Sequence, residues 1–155
     1  MSEPSASDVV RSYAEAKSRA DVDAALRTCH PDVVFETIPF QAVARGTDEA
    51  RTQFGGFFRA FPDYTVELEY LRETGDLVVG SGRILATMSG PLAGIPPTGR
   101  GFALPFACHW TVTDGKIAHE RFFFDFNQMC EQLGLSTTDA ASRFATWRAR
   151  QPAPH

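Results

Sequence analysis

Apolar positions recur along this chain with two different periods. Val9, Val10, Tyr13 and Ala14 fall at helical spacing, and so do Val22, Ala25, Leu26 and Cys29. Ala50, Phe54, Phe57, Phe58 and Phe61 repeat the helical pattern more strongly. From Tyr64 the period drops to two, with Val66, Leu68 and Tyr70 alternating with Thr65, Glu67 and Glu69, the pattern of a half-exposed strand. Ser7 and Asp21 are expected to cap the first two helices, the second of which stops at His30-Pro31-Asp32 because the residue before proline avoids the α region. A strand is predicted at Val33–Ile38, then a loop through Gly46, then a helix capped by Thr47 and ended by Pro62-Asp63. Gly55-Gly56 inside that helix costs about 1 kcal/mol per glycine against alanine, tolerable if a strand packs very close there. Gly75-Asp76 turns the chain into a strand from Leu77 to Ser89, and a Gly- and Pro-rich loop follows to Arg100.

Two aromatic-rich runs then flank Asp114-Gly115. Asp and Gly both accept the positive φ of a two-residue type I′ turn, so this stretch predicts a long hairpin. Helices are predicted at Phe126–Leu133, ended by Gly134, and at Thr138–Arg148; Gln151–His155 reads as a loose tail. An uninterrupted ladder outward from the turn opposes Val112 to Ile117, Trp110 to His119 and His109 to Glu120. One face then carries Ala107, His109, Thr111, Glu120, Phe122 and Phe124, and the other Phe106, Cys108, Trp110, Val112, Ile117, His119, Arg121 and Phe123. A β-bulge would slip the register by one residue and exchange the faces beyond it.

Helices that precede an antiparallel meander bury their apolar faces by lying on its concave side. The expected fold is therefore α+β: a curved antiparallel sheet forming a cone, with the N-terminal helices over an apolar pocket, in one domain spanning 1–155. Thirteen phenylalanines suit a roomy apolar interior or an apolar interface. The net charge of −4, with basic residues scattered, argues against a nucleic-acid or membrane surface. Three cysteines, Cys29, Cys108 and Cys130, have neither zinc-site nor redox-pair spacing, and with no secretory signal they read as buried thiols of a cytoplasmic protein.

Several stretches resemble the SnoaL-like polyketide cyclases of the nuclear-transport-factor-2-like superfamily. They are Phe57-Phe58-Arg59-Ala60-Phe61-Pro62-Asp63, Gly94-Ile-Pro-Pro-Thr-Gly-Arg100, Asp114-Gly-Lys-Ile, and Glu120–Asp125 followed by Glu131-Gln132-Leu133-Gly134. The resemblance implies a deep apolar pocket, a small-molecule substrate, no metal or organic cofactor, a homodimer, and intramolecular aldol ring closure by an acidic general acid/base. It points to Asp125 as that acid. Arg121-Phe122-Phe123 stands where epoxide-hydrolase relatives carry their acid, and Phe35-Glu36-Thr37 where ketosteroid-isomerase relatives carry theirs.

The catalytic candidates are thus Asp125, His109 and Glu120. A carboxylate on an imidazole orients the ring and raises its proton affinity, which makes His109 opposite Glu120 a general acid/base pair; the plain alternative is an exposed cross-strand pair. Asp125 has the alternative use of capping the helix at Phe126. Tyr13, Phe40, Phe58, Trp110, Phe122 and Phe124 are the substrate-binding candidates, with core packing the alternative. Arg121 and His119 read as a solvated or interface face. The expected function is cofactor-independent acid/base catalysis on an apolar, carbonyl-bearing metabolite, cyclisation foremost. The alternatives are an isomerase or epoxide hydrolase of the same fold, or a non-catalytic binding module. A homodimer is expected to hide Trp110, Phe106 and Phe123.

Overall fold

A computed structural model describes residues 3–152, so the two ends, with part of the expected C-terminal tail, lie outside the described residues. The element order is α1 (Ala6–Ser18), α2 (Val22–Arg27), β1 (Cys29–Thr37), a 3₁₀ turn (Ile38–Phe40), β2 (Ala42–Arg45) and α3 (Gly46–Ala60), then β3 (Thr65–Thr74), β4 (Leu77–Thr87), β5 (Gly101–Thr113), β6 (Lys116–Phe123), α4 (Phe126–Leu133) and α5 (Thr137–Ala149). The strands form one open, six-stranded sheet in the order β2-β1-β6-β5-β4-β3. The α+β class follows the sequence pattern, with one topological addition: β1 runs parallel to β6, so the sheet is mixed.

Local chemistry sets most boundaries. Ser5, not Ser7, caps α1: its hydroxyl accepts from the Asp8 amide while the Asp8 carboxylate accepts from the Ser5 amide, a reciprocal capping box. Asp21 caps α2 as expected. Thr47 does not cap α3; the helix begins at Gly46, and Arg45 in the cap position makes no side-chain bond. The stretch expected to be a loop before Gly46 instead folds back as β2 on β1, pairing Phe35 with Ala44. Gly134 ends α4 in the left-handed conformation, φ 75°.

The sheet's concave face is apolar and carries the core. Phe102, Leu104, Phe106, Cys108 and Trp110 of β5 point to it, with Ile84 of β4, Phe122 of β6 and Phe35 of β1. Helix α1 packs across this face against β3 to β6, and α3 against β1 and β2. Curvature has two local causes. Register shifts interrupt β3 between Leu68 and Tyr70 and β5–β6 at Thr111/Val112. On β4, a Cβ at Gly82 would collide with the Glu67 carbonyl, and one at Gly80 would meet Leu71 Cδ2 at 2.5 Å and the Tyr70 carbonyl at 2.8 Å. No strand packs close to Gly55-Gly56, however; a Cβ there would meet only the Arg59 guanidinium, at 3.4 and 3.8 Å.

The hairpin turn forms at Asp114 (φ 52°) and Gly115 (φ 74°), and its first two pairs, Thr113–Lys116 and Val112–Ile117, are those expected. Ala118 is then an extra residue on β6, and Thr111 pairs with His119, Trp110 with Glu120 and His109 with Arg121. Beyond this bulge the faces of β6 are exchanged relative to the uninterrupted ladder. Glu120 and Phe122 turn into the concave face, while His119, Arg121 and Phe123 turn outward beside His109. Trp110 and Phe106 are consequently buried within one protomer, at 2% and 4% exposure, and need no partner to hide them. Of the three aromatics assigned to an interface, Phe123 alone lies on the outer face.

Candidate active site

Under α1 and α3 the concave face leaves a cavity of about 90 Å³. Its walls are mostly aromatic: Phe35, Phe40, Phe54, Phe57, Phe58, Tyr64, Phe102, Phe122 and Phe124. Two lining side chains carry charge, Lys17 of α1 and Glu120 of β6. Four of the expected substrate-binding aromatics, Phe40, Phe58, Phe122 and Phe124, line the space directly. Phe40 arrives through the 3₁₀ turn and stacks on Phe144 of α5 at 4.4 Å between ring centres, which ties the C-terminal helix to the pocket wall.

Glu120 is the buried carboxylate of this site, 4% exposed. Burying a carboxylate is costly unless its oxygens are hydrogen-bonded, and here each oxygen has a donor. The Trp110 indole Nε1–H donates to Oε1 at 3.0 Å, and the Tyr13 phenol donates to Oε2 at 3.2 Å. The bulge at Ala118 is what makes this possible, because it sets Glu120 directly across from Trp110. Tyr13 (1% exposed) reaches in from α1 and stacks on Phe35 at 6.0 Å. Tyr13 and Trp110 therefore stand behind Glu120 as holders of the carboxylate rather than as cavity lining.

Neighbouring groups respond to the burial and to Glu120. Burial first, and the Glu120 charge second, hold the Tyr13 phenol well above the ordinary tyrosine range, and the same two causes act on Tyr64. Tyr13 thus stays a donor throughout the physiological range. Burial pushes the Cys29 thiol up to about 12 and the Cys108 thiol upward as well, with Glu120 adding to both. These thiols are inert packing groups, as their spacing implied.

The remaining catalytic candidates lie elsewhere. His109 is exposed on the outer face, 5.6 Å from the Phe123 ring and paired across the ladder with Arg121, so the expected His109–Glu120 pair does not form. Asp125 is exposed, sits outside the cavity lining, and accepts from the Gln128 amide at 2.9 Å as the N-cap of α4. His119 and Arg121 both bond the Glu36 carboxylate, at 2.6 and 3.3 Å, forming a polar cluster on the outer face.

Lys17 was not legible as a site residue, although a signal existed. It stands four residues after Tyr13, continuing the apolar stripe of α1 where an alanine or leucine would be ordinary. Its ammonium lies 5.2 to 5.5 Å from the ring centres of Tyr13, Phe54, Tyr64 and Phe122.

The chain is thus a curved mixed sheet capped by helices, with a buried carboxylate facing an aromatic cavity. Residues 7–133 match the SnoaL-like polyketide cyclase family, to which the chain belongs. Among solved structures it is similar to IdmH, a proposed polyketide cyclase of Streptomyces antibioticus (26% identity, 85% of this chain and 100% of that chain covered, TM-score 0.73). It is also similar to an NTF2-like protein of Burkholderia thailandensis (26% identity, 83% and 97% covered, TM-score 0.70). A protein of ketosteroid isomerase-like fold from Catenulispora acidiphila shares the fold at 15% identity (88% and 98% covered, TM-score 0.76). No curated protein sequence matches the chain. Among the described residues no helix is long and apolar enough to cross a membrane.

Proposed function

We propose that this protein is a cofactor-independent acid/base enzyme that closes a ring in an apolar, carbonyl-bearing small molecule by intramolecular aldol chemistry, with Glu120 as the base. The observation that carries the reading is a buried carboxylate, held by two donors, facing an aromatic cavity. Glu120 takes a proton from the carbon beside a substrate carbonyl. The resulting enolate carbon forms a bond to a second carbonyl carbon of the same molecule, and the new alkoxide recovers the proton from Glu120. Tyr13 and Trp110 fix the carboxylate in place, so that little reorganisation accompanies proton transfer. The aromatic walls fold the flexible substrate and exclude water. Membership of the cyclase family and the likeness to IdmH favour this reaction over others that begin with the same proton abstraction. The partner proposed for the chain is a second copy of itself, docked on the outer face around Val79, Ala107, His109 and Phe123; light scattering that gives one protomer mass at tens of micromolar contradicts it.

The test is a panel of 1,3-diketones and partly cyclised aromatic polyketones incubated with the protein in heavy water. Ring closure faster than in protein-free heavy water is expected for at least one member. A double-bond shift without ring closure would reassign the chain as an isomerase. Binding of panel members with neither exchange nor closure accelerated over the protein-free control would make it a binding module.

A further inference from the structure

We infer that Lys17 is a second catalytic residue, the cation that holds the oxyanion formed when Glu120 removes a proton, and that the cavity therefore selects ligands with an ionisable or enolisable oxygen. The inference rests on the reading of Glu120 as base and adds the electrophilic half of the site. Lys17 and Glu120 line the same cavity, yet they do not neutralise each other: among the described residues no carboxylate lies within ion-pair distance of the Lys17 ammonium. Four aromatic rings surround that ammonium at 5.2 to 5.5 Å instead. Their faces stabilise a cation without filling its hydrogen-bonding capacity, since a ring quadrupole attracts the charge while the three N–H donors still require oxygen acceptors. A lysine that served only to end α1 would direct its ammonium to water, as long charged side chains do at helix ends. This one is half-buried and lines the cavity.

The chemistry balances without a co-reactant. The C–H bond beside the carbonyl breaks, and its proton passes to a Glu120 oxygen. The electron pair becomes the carbon–carbon double bond of the enolate, and the former carbonyl π pair moves to oxygen, where the Lys17 ammonium meets it. A cation placed where negative charge develops, in a site shielded from water, is worth far more than the same cation in solvent. The aromatic box also fixes the ammonium before substrate arrives.

The binding test uses 4-nitrophenol, which ionises near neutral pH and changes colour when it does, alongside 4-nitroanisole, its uncharged methyl ether. The parent protein is expected to bind the phenolate, and Lys17→Met to bind it at least tenfold more weakly while holding 4-nitroanisole as the parent does. Lys17→Arg, which keeps the charge, should restore part of the phenolate affinity. The inference is overturned if the parent does not bind the phenolate, if Lys17→Met binds it equally well, or if Lys17→Met loses both probes alike, the mark of a structural role. On a substrate the enzyme turns over, Lys17→Met should lower kcat at least tenfold with KM little changed. Unchanged kcat in Lys17→Met with activity lost in Glu120→Gln would remove Lys17 alone. Full activity in Glu120→Gln would remove the reading of the base on which it rests.

Discussion

Replacing Tyr13 by phenylalanine deletes one hydrogen bond to Glu120 and almost nothing else. The ring is 1% exposed and stacked on Phe35, and phenylalanine fills the same space without leaving a void. A hydrogen bond to a charged group contributes about 1.5–3 kcal/mol, and its loss leaves the acceptor desolvated. The observed 3.2 Å separation is long for O–H···O, so the lower part of that range, about 1.5–2 kcal/mol, is expected. For a chain of this size that corresponds to a fall in Tm of about 3–8 °C. Urea unfolding near neutral pH measures the loss, and a double-mutant cycle with Glu120→Gln assigns it. If the bond is as described, the two substitutions are non-additive by about 0.5 kcal/mol or more, beyond what independent sites show. A loss in Tyr13→Phe below about 0.5 kcal/mol, or additivity with Glu120→Gln within about 0.3 kcal/mol, would refute the claim that Tyr13 holds the buried carboxylate.

Glycine substitutions should divide sharply. Gly56→Ala meets only the end of the Arg59 side chain at 3.8 Å and should stabilise α3 by about 0.5–1 kcal/mol in denaturant unfolding. Gly82→Ala drives its Cβ into the Glu67 carbonyl and should cost at least about 2 kcal/mol or abolish soluble expression; wild-type stability there would contradict the close β3–β4 approach. Stability should also fall in alkali. The Cys29 thiol is raised from its ordinary 9.0 to about 12 by burial, so its contribution is complete below pH 9 and is lost as pH climbs through about 12. Each such group that the unfolded chain ionises first steepens the decline by about 1.4 kcal/mol per pH unit, and Cys108 acts in the same direction. Unfolding free energy that stays flat between pH 8 and pH 10.5 would count against buried thiols.

Helix and strand periodicity made most of the fold readable, because each element buries one face and writes that face into its spacing. The Phe-rich stripe of α3, the Asp-Gly turn and the Phe126–Leu133 helix all formed where the pattern placed them. The strand β2 was hidden because Ala42-Val-Ala-Arg45 is too short to display a period, and it forms through tertiary pairing with β1. The site was less readable for a sharper reason. One extra residue, Ala118, decides whether Glu120 faces His109 or Trp110, and alternation alone does not reveal where a bulge falls. The turn anchors the first two pairs; beyond them the choice is settled by burial, since the bulged register places Phe122 inside and Arg121 outside. Asp125 remained ambiguous in sequence because a cap and an acid use the same residue type at a strand–helix junction, and its bond to the Gln128 amide favours the cap.

On the proposed mechanism Glu120, and not Asp125, moves the proton. The direct measurement compares Glu120→Gln and Asp125→Asn with the parent on one substrate that the parent cyclises, with binding followed separately. Asn caps about as well as Asp, so Asp125→Asn should keep both its fold and its activity. Glu120→Gln keeps the shape of the carboxylate without its basicity and should retain ligand binding while turnover falls by roughly a hundredfold or more, the usual worth of a positioned base. Near-parental turnover in Glu120→Gln, together with a comparable loss in Asp125→Asn, would contradict the account.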